Sequence, residues 1–316
     1  MSDSSIFIEK YRPKNFEEFV GQDIIVNRIK SFVENKNLPH LIFAGSPGVG
    51  KTTLALIIAR DMFKENWREN FLELNGSDDR GINVVRETIK DFARTKPFSD
   101  VPYKIILLDE SDALTREAQH ALRRTMENYS NTCRFILSCN YSSKLIDPII
   151  SRCAIFRFKP LNKEDVFTIL KKIAKTEGLK IEEKALELIF SASKGDVRKA
   201  ENILQSSSSI SKNINENLVK EIVKEVNPED IKNILEIAIS GDFIKARNKL
   251  LEFMLKEGLS GIDIIKSIQS EILNLNLEDK KKMQLIDKCG DIEFRLVEGS
   301  DEFVQLEALL SNFIEK

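Results

Sequence analysis

The stretch Gly45–Thr52, with the sequence GSPGVGKT, constrains the fold of this 316-residue chain more than any other feature. It matches the pattern G-x-x-x-x-G-K-[ST], and it stands between the apolar run His40–Ala44 and a helical pattern that begins at Thr53. Glycines let the main chain turn its N–H groups toward an anion, and the first turn of the following helix adds its positive dipole end. The stretch therefore predicts a strand, a phosphate-binding loop and a helix in succession.

The side chains at the end of this loop indicate how it would hold a nucleotide. Lys51 would bring a point charge to the terminal phosphates, and the hydroxyl of Thr52 would be a ligand for Mg²⁺. A glycine-rich turn without a ligand is the alternative, but the complete pattern between a strand and a helix disfavours it. We therefore expect the nucleotide to contact Gly45, Ser46, Pro47, Gly48, Val49, Gly50, Lys51, Thr52 and Thr53.

A second strand pattern ends in two acidic residues. The apolar run Lys104–Leu108 is followed by Asp109 and Glu110, about 60 residues after the phosphate-binding loop. Asp109 would hold the metal, and Glu110 would polarise the water that attacks the γ-phosphate. A solvated acidic turn is the alternative for such a pair taken alone. Together with the loop, the pair favours ATP hydrolysis over nucleotide binding alone.

Composition excludes several classes of protein. The chain has 48 basic and 50 acidic residues, so a DNA contact would have to come from a local patch. No apolar run approaches the roughly 20 residues of a membrane span, and the N-terminus lacks the features of a secretory signal. The four cysteines have no C-x-x-C spacing, which predicts free thiols, most of them buried. We expect a cytoplasmic protein without a membrane partner, or a nuclear one if the source is eukaryotic.

The order of strand and helix patterns predicts three domains. Five apolar runs alternate with helical patterns, which is typical of a parallel sheet covered on both faces. They are Leu41–Ala44, Phe71–Leu74, Lys104–Leu108, Arg134–Ser138 and Ile155–Phe158. After Pro160 the strand signals stop. We predict an α/β nucleotide-binding domain over residues 1–160, a small helical domain over residues 161–225 and a helical collar over residues 226–316.

Helix-capping patterns divide the second half of the chain. Asn162 is expected to cap a helix that ends at Glu177, and Asp196 is expected to cap another. The polar stretch Ser206–Asn217 is expected to loosen the helical pattern. New helices then begin at Asn227 and around Gly241, and apolar helical spacing continues to Phe313.

These motifs resemble those of the AAA+ ATPases and, among them, the small subunits of replication factor C, a clamp loader. The resemblance covers about the first 200 residues densely and is most like the archaeal form. It implies an ATPase that uses ATP and Mg²⁺, with a lid domain and an oligomerising collar. The motifs that carry it are Gly45–Thr52, Asp109-Glu110, Asn140, Ser151-Arg152-Cys153, Gly195-Asp196-Val197-Arg198 and Glu9-Lys10-Tyr11-Arg12-Pro13.

The resemblance implies further contacts to ATP. Asn140 would orient the attacking water, although a turn residue is the alternative for an Asn at a strand end. Arg198 would contact the phosphates from the lid, and its position at a helix start favours a nearby anion over an unpaired surface cation. Tyr11, Arg12 and Val20 would surround the adenine; the alternative is an N-terminal arm that merely packs on the domain.

The resemblance also implies that Arg152 acts on ATP held by a neighbouring subunit. There its permanently charged guanidinium would stabilise phosphoryl transfer. Local pairing of Arg152 is the alternative reading. The trans role requires a ring or arc of subunits: other small subunits and a large subunit of replication factor C.

A helix between the second and third strands is the candidate DNA contact. Arg86 and Lys90 lie four residues apart on a stripe beside its apolar face, and Arg80 lies at its N-terminal end. A solvated, salt-bridged face is the alternative, because acidic residues interrupt the stripe. The resemblance implies contact with the DNA backbone here. It also implies that Gln119, Arg123 and Arg124 couple DNA to the ATP site, and that Asn75 restrains Glu110.

The resemblance thus implies a replication factor C small subunit that opens a PCNA-type sliding clamp and loads it on primer–template DNA for replication. One alternative is an AAA+ helicase or branch-migration motor, although its DNA-gripping elements are not found in the sequence. A second is a nucleotide-locked assembly subunit without hydrolysis. The presence of Glu110, Asn140 and Arg152 argues against the second alternative.

Overall fold

The computed structural model describes residues 6–77, 83, 85–98, 101–223 and 228–314. The chain divides into two compact units, Met1–Ile222 and Val223–Lys316. The first contains the parallel sheet and the helices around it, and the second is helical in its described residues. The division of the chain at residues 160 and 225 into three domains stays a prediction.

Five strands form one sheet at the centre of the first unit. Their order is β2-β3-β4-β1-β5, and every neighbouring pair is parallel. The fold prediction is therefore confirmed, with strand bounds within two residues of those expected from the apolar runs. The interior strands are buried along nearly their whole length, as strands covered on both faces must be. The strands are His40–Ala44 (β1), Phe71–Asn75 (β2), Lys104–Asp109 (β3), Cys133–Cys139 (β4) and Cys153–Arg157 (β5).

The strand order creates a crevice at one edge of the sheet. The chain leaves β1 toward the helix Lys51–Phe63, while β4 and β5 lie on opposite sides of β1. Ligands of open α/β sheets bind outside the carboxyl ends of the strands, where the order reverses. The carboxyl ends of β1, β3 and β4 therefore bring the loop after Ala44, the acidic pair after Leu108 and Asn140 to the same edge.

The helices of the first unit extend along the chain from the N-terminal segment to the boundary with the second unit. They are Phe7–Lys10 (α1), Asp23–Glu34 (α2), Lys51–Phe63 (α3), Lys90–Arg94 (α4), Arg116–Asn128 (α5), Asp147–Ile150 (α6), Lys163–Glu177 (α7), Glu183–Ser193 (α8), Val197–Ile210 (α9) and Glu216–Val223 (α10). The predicted caps are confirmed, because Asn162 accepts from the Asp165 N–H and Asp196 from the Lys199 N–H, at 2.8 and 3.0 Å. Both capping residues lie in extended backbone immediately before their helices.

Two expectations about the stretch after residue 160 are wrong. Ser206 to Ile210 do not loosen the pattern but remain in α9, where serine hydroxyls bond to carbonyls of the preceding turn. Two short strands also occur where none was expected, Lys180–Ile181 (β6) and Asn213–Ile214 (β7), and they pair in parallel. Serine has only a modest helix penalty, and burial of Ile203, Leu204 and Ser207 on one face outweighs it.

The second unit has five helices among its described residues. They are Pro228–Ile239 (α11), Phe243–Glu257 (α12), Gly261–Ile272 (α13), Asp279–Val297 (α14) and Glu302–Ser311 (α15). Isoleucine and leucine stripes from these helices form one core, which agrees with the predicted helical spacing as far as Phe313. The break at Gly241 is also confirmed, since Asp242 caps α12 by accepting from the Lys245 N–H at 3.1 Å.

Candidate nucleotide-binding site

Two glycines of the phosphate loop, Gly45–Thr52, have backbones that other residues rarely adopt. Gly50 has φ 96° at the start of α3, and a Cβ there would lie 2.7 Å from the ring of Phe19. Gly48 has φ 69°, and a Cβ there would lie 1.7 Å from Oδ1 of Asp196. Both positions therefore require glycine, and the loop lies against the first turn of α9 as well as against the N-terminal segment.

The Lys51 ammonium lies inside this loop and is 8% exposed as a residue. Its Nζ donates to the carbonyl oxygens of Gly45 and Ser46 at 2.7 and 2.8 Å and to Oδ1 of Asn140 at 3.2 Å. Burial lowers the pKa of Lys51, and the Asp109 carboxylate opposes that shift. A cation whose partners are neutral oxygens is well placed to exchange them for phosphate oxygens.

Two of the predicted metal ligands are in direct contact. The Thr52 hydroxyl donates to Oδ2 of Asp109, while the backbone N–H of Glu110 donates to Oδ1 of the same carboxylate at 2.9 Å. Asp109 is thus held from two sides. Glu110 itself is exposed, has a left-handed backbone with φ 49° directly after β3, and lines the pocket.

Gly76, the residue after β2, lies so close to the backbone of Glu110 that no larger residue fits there. A Cβ on Gly76 would lie 2.6 Å from the carbonyl oxygen of Glu110, and the Gly76 N–H donates to the Asp109 carbonyl at 2.7 Å. Asn75 pairs in register with Asp109, and its Oδ1 accepts from the N–H and hydroxyl of Ser77 at 3.0 and 2.9 Å. The residue predicted to restrain Glu110 therefore lies one strand away from the acidic pair.

Asn140 follows β4 at the same edge of the sheet. Its side chain reaches Lys51, and the next residue is tied to the acidic segment because the Tyr141 N–H donates to Oδ2 of Asp112 at 3.2 Å. The Ser111 hydroxyl also donates to the Ser138 carbonyl at 2.9 Å. These bonds hold the ends of β3 and β4 together and fix Asn140 beside the phosphate loop.

Arg198 reaches the same pocket from α9. The Val197 N–H donates to the Gly48 carbonyl at 3.0 Å, so the first turn of α9 is bonded to the loop. The positive charge of Arg198 contributes to lowering the pKa of Lys51, which places the two cations within electrostatic reach. Within residues 6–77, 83, 85–98, 101–223 and 228–314, neither cation is ion-paired with a carboxylate within 4.0 Å. Their convergence favours an anionic ligand.

The N-terminal segment, residues 6–20, packs on two helices of the first unit. The Tyr11 hydroxyl donates to Glu177 at the end of α7, and the Lys10 ammonium lies 2.8 Å from the same carboxylate. Oε1 of Gln205 on α9 accepts from the Phe7 N–H at 3.0 Å. Tyr11, Arg12 and Val20 line the pocket together with the phosphate loop. The segment thus forms part of the pocket wall and is held there by α7 and α9.

Arg152 lies outside this pocket. Its Nη2 is 2.5 Å from Oε1 of Glu127 on α5, and its Nη1 donates to the Pro148 carbonyl at 2.7 Å. The side chain of Arg152 is 38% exposed. In the described structure of one chain this guanidinium therefore pairs locally, which is the alternative that the sequence left open, and it remains accessible from solvent.

The residues predicted to couple DNA to the ATP site lie on α5. Gln119 is buried, donates to the carbonyls of Leu114 and Lys144 at 3.1 and 3.2 Å, and accepts from the Ile146 N–H at 2.9 Å. It thereby joins α5 to the segment that leads to Arg152. Nε of Arg123 lies 4.0 Å from Oε1 of Glu127, and Arg124 is exposed.

The candidate DNA helix is only partly described. Arg80 lies outside the described residues, and Arg86 is described only by its backbone, in a π-helical turn over Val85–Ile89. Lys90 begins α4 and is exposed, whereas Ile89 is fully buried. A π-helical turn advances the chain differently from an α-turn, so the four-residue stripe predicted for Arg86 and Lys90 is not a regular α-helical one.

One pocket residue, Glu201, is absent from the residues predicted from the sequence. It lies on α9 one turn after Arg198 and is 7% exposed. Its neighbours Ala200, Ile203 and Leu204 are buried. The sequence signal that could have indicated Glu201 is therefore a charged residue inside an apolar helical stripe. The pocket is lined by Ile8, Tyr11, Arg12, Pro13, Glu18, Phe19, Val20, Pro47, Gly48, Val49, Gly50, Lys51, Thr52, Thr53, Asp109, Glu110, Ser138, Cys139, Asn140, Leu161, Ile169, Lys172, Ile173, Val197, Arg198 and Glu201.

The cysteines agree with the prediction of free thiols that are mostly buried. Cys133, Cys139 and Cys289 are buried, Cys153 is half-buried, and all four are free thiols. Burial raises the pKa of Cys139, which lines the pocket, to about 12. None of the helices in the described part of the chain has the length and apolar character of a membrane span.

The parallel sheet order, the phosphate loop and the acidic pair define a P-loop ATPase of the AAA class. Three family models match consecutive parts of the chain, in the order ATPase domain, lid domain and C-terminal domain. They are described as ATPase family associated with various cellular activities (AAA), over residues 41–161, as RCF1/5-like, AAA+ ATPase lid domain, over residues 168–209, and as Replication factor C C-terminal domain, over residues 226–312.

Full-length relatives identify the family. Proteins named Replication factor C small subunit are 52% identical over 305 residues in Methanococcus vannielii and 50% identical over 311 residues in Archaeoglobus fulgidus. The first alignment covers 96% of this chain and 97% of the relative, and the second covers 98% of each. The chain belongs to the family of replication factor C small subunits.

A likeness to a second group concerns the fold alone. A solved structure of the Thermotoga maritima RuvB Holliday junction branch migration motor is 22% identical, with a TM-score of 0.58 over 72% of this chain and 79% of that chain. A model for the Holliday junction DNA helicase RuvB P-loop domain also matches residues 11–70. These matches show the same AAA fold as the alternative motor proteins.

Proposed function

We propose that this ATPase opens a ring-shaped sliding clamp and loads it on primer–template DNA, as one small subunit of a hetero-oligomeric clamp loader. The observation that carries the proposal is the likeness over nearly the whole chain to proteins named Replication factor C small subunit. Lys51 and Arg198, which converge on the phosphate loop without a carboxylate partner among the described residues, support the ATP site on which it depends. Family membership supports the larger assembly with other small subunits, a large subunit and a PCNA-type clamp. A cytoplasmic location belongs to the same proposal.

In this proposal Lys51, Arg198, Thr52 and Asp109 each have a defined task in binding the nucleotide. Phosphate oxygens replace the loop carbonyls around Lys51, and Arg198 draws α9 onto the nucleotide. The donor set fits a hard divalent cation, because Thr52 and Asp109 present oxygen atoms that already touch. Mg²⁺, held there with ATP, would neutralise developing phosphate charge.

Hydrolysis then depends on residues at the strand ends. Glu110 accepts a proton from the attacking water, and Asn140, fixed beside Lys51, orients that water. Asn75 restrains Glu110 until DNA is bound, and Gln119, Arg123 and Arg124 carry the effect of DNA along α5. The buried bonds of Gln119 support this coupling, because they link α5 rigidly to the segment before Arg152.

The last element of the proposal is the trans action of Arg152. Its local partner, Glu127, is more than a third exposed, and such a pair has little net stability. A neighbouring subunit's triphosphate, with several negative charges, would therefore compete effectively for the guanidinium. Contact between DNA and the predicted phosphate-binding residues Arg80, Arg86 and Lys90 would release the assembly for hydrolysis.

A clamp-loading assay tests the proposed function. The chain is assembled with its large subunit, and ATPase activity is measured alone, with primed DNA and with DNA and clamp. We expect activity to rise at least severalfold with both ligands, together with transfer of labelled clamp to primed DNA. ATP-driven duplex unwinding or junction migration without clamp transfer would favour the motor alternative, and bound ATP without turnover would favour the assembly subunit.

A further inference from the structure

The carboxyl group of Glu201 lines the pocket but has no role in the proposed hydrolysis. The residue is 93% buried, since only 7% is exposed, and it lines the cavity with Tyr11, Arg12 and Arg198. Among the described residues its carboxylate has neither an ion pair within 4.0 Å nor a hydrogen bond. Its oxygens are not fully enclosed by protein atoms, so they face the cavity. A ligand that fills the cavity displaces the water around this carboxylate and has to offer it a hydrogen-bond donor instead.

The position of Glu201 on α9 indicates which part of a nucleotide it faces. It lies three residues after Arg198 and four before Gln205, so the three side chains share one face of the helix. With a rise of about 1.5 Å per residue, Glu201 is about 4.5 Å further along the axis than Arg198. Gln205 marks the other end of this face, because it holds the Phe7 N–H of the N-terminal segment.

Charge excludes the phosphates as the partner of Glu201. A triphosphate has no hydrogen-bond donor when ionised, and it repels a carboxylate. The nucleoside has donors, namely the exocyclic amine of adenine and the ribose hydroxyls. Burial raises the pKa of Glu201 to about 7, while the Arg12 and Arg198 cations oppose the shift and Asp196 and Glu9 reinforce it. A nucleoside donor at its oxygens would favour the ionised form and move the pKa back toward its ordinary value, whereas a nearby phosphate would raise the pKa further.

We propose that Glu201 is a specificity-determining residue of the nucleotide site and that its carboxyl group forms a hydrogen bond to a donor of the nucleoside, either the adenine amine or a ribose hydroxyl. The inference rests on the proposed ATP site and adds a selection step to it. Removing a nucleoside donor then leaves a buried carboxyl group unpaired, which discriminates more strongly than a change in apolar contact.

Equilibrium binding of nucleotide analogues to the full chain tests this inference. The ligands are ATP, 2′-deoxy-ATP, 3′-deoxy-ATP and the triphosphate of purine riboside, which lacks the amine. The proteins are the wild type, Glu201→Leu and the control Glu183→Leu, which removes an exposed carboxylate of α8. Circular dichroism verifies folding, and Glu201→Ala replaces the leucine variant if that one does not fold.

We expect the wild type and the control to prefer ATP about tenfold over the one analogue that lacks the contacted donor, as for one hydrogen bond to a charged group. Glu201→Leu should bind that analogue and ATP equally. The analogue that the wild type binds more weakly shows whether Glu201 contacts the adenine amine or one of the ribose hydroxyls. Unchanged ratios for every analogue in the leucine or alanine variant would overturn the inference. A wild type that binds no ATP, or a Lys51→Ala variant that binds it normally, would instead overturn the proposed ATP site.

Discussion

Oε1 of Glu127 lies 2.5 Å from Nη2 of Arg152, and this pair joins the end of α5 to the segment before β5. The same glutamate lies 4.0 Å from Nε of Arg123. One partly exposed carboxylate thus faces two arginines, one of which is the proposed trans residue. Arg152 therefore stays at the surface, where another anion can replace Glu127 as its partner.

Replacing Arg152 should barely affect the stability of the chain. We expect Arg152→Ala to lower the free energy of unfolding by less than about 1 kcal/mol, because the ion pair is more than a third exposed. Chemical denaturation measures the change. Arg134→Ala is the matched control, since that guanidinium donates to the Leu38 carbonyl at 2.6 Å and lies 4.5 Å from the ring centre of Tyr103. A loss for Arg152→Ala as large as for the control would indicate a structural arginine.

Glu110→Gln should separate nucleotide binding from turnover. If Glu110 polarises the attacking water, the variant should retain ATP and clamp binding but lose at least about a hundredfold in turnover, within the usual range for a general base. Lys51→Ala should instead weaken nucleotide binding itself. Steady-state ATPase and equilibrium binding distinguish them, and turnover of Glu110→Gln within twofold of the wild type would rule out the assignment.

Replacing Arg80 and Arg86 with alanine should weaken DNA binding equally for every DNA sequence. Each lost phosphate contact should also flatten the dependence of log K on log salt by roughly one unit. Basal ATPase should persist while stimulation by DNA falls. Lys184→Ala, an exposed lysine on α8, is the control for loss of charge. Loss confined to one DNA sequence would indicate base recognition and contradict backbone contact.

His40 should make the fold less stable in acid. Burial and the nearby charge of Arg134 lower the pKa of His40 from 6.5 to about 4, and its Nδ1 accepts from the Phe135 N–H at 3.1 Å. In the unfolded chain His40 therefore binds a proton below about pH 6.5, whereas in the folded chain it binds one only below about pH 4. Stability from this group is complete above pH 6.5, and about 3 kcal/mol is lost as the pH falls through that window.

The variant His40→Asn isolates this contribution, because its oxygen can still accept from the Phe135 N–H. Denaturant unfolding of both proteins at pH 7, 5.5 and 4 gives the difference in free energy. Between pH 7 and pH 4 the free energy of unfolding should fall by about 3 kcal/mol more for the wild type than for the variant. Parallel curves would show that His40 does not titrate differently in the folded chain.

Much of the pocket could be predicted because its residues sit at fixed places in local patterns. A parallel sheet collects the carboxyl ends of its strands, so Asp109 and Asn140 had to lie near the phosphate loop. The signal for Glu201, a charged residue inside an apolar helical stripe, indicates burial but not which pocket the residue lines. The contact of Gly48 with Asp196 could not be predicted, since it depends on how α9 packs on the loop. The same holds for Glu127 and Arg152, which are brought together by the packing of α5.

The trans action of Arg152 is the central claim, and mixing two inactive variants tests it most directly. Lys51→Ala cannot use its own pocket but retains Arg152, whereas Arg152→Ala retains an intact phosphate loop. The loss in Arg152→Ala is expected to be on the order of a thousandfold where this arginine is the main transition-state cation, and smaller to the extent that Lys51 and Arg198 share that role. Mixed assemblies place an intact arginine beside an intact loop, so ATPase activity should partly recover on mixing. If verified mixed assemblies stay as inactive as either parent, Arg152 does not act in trans.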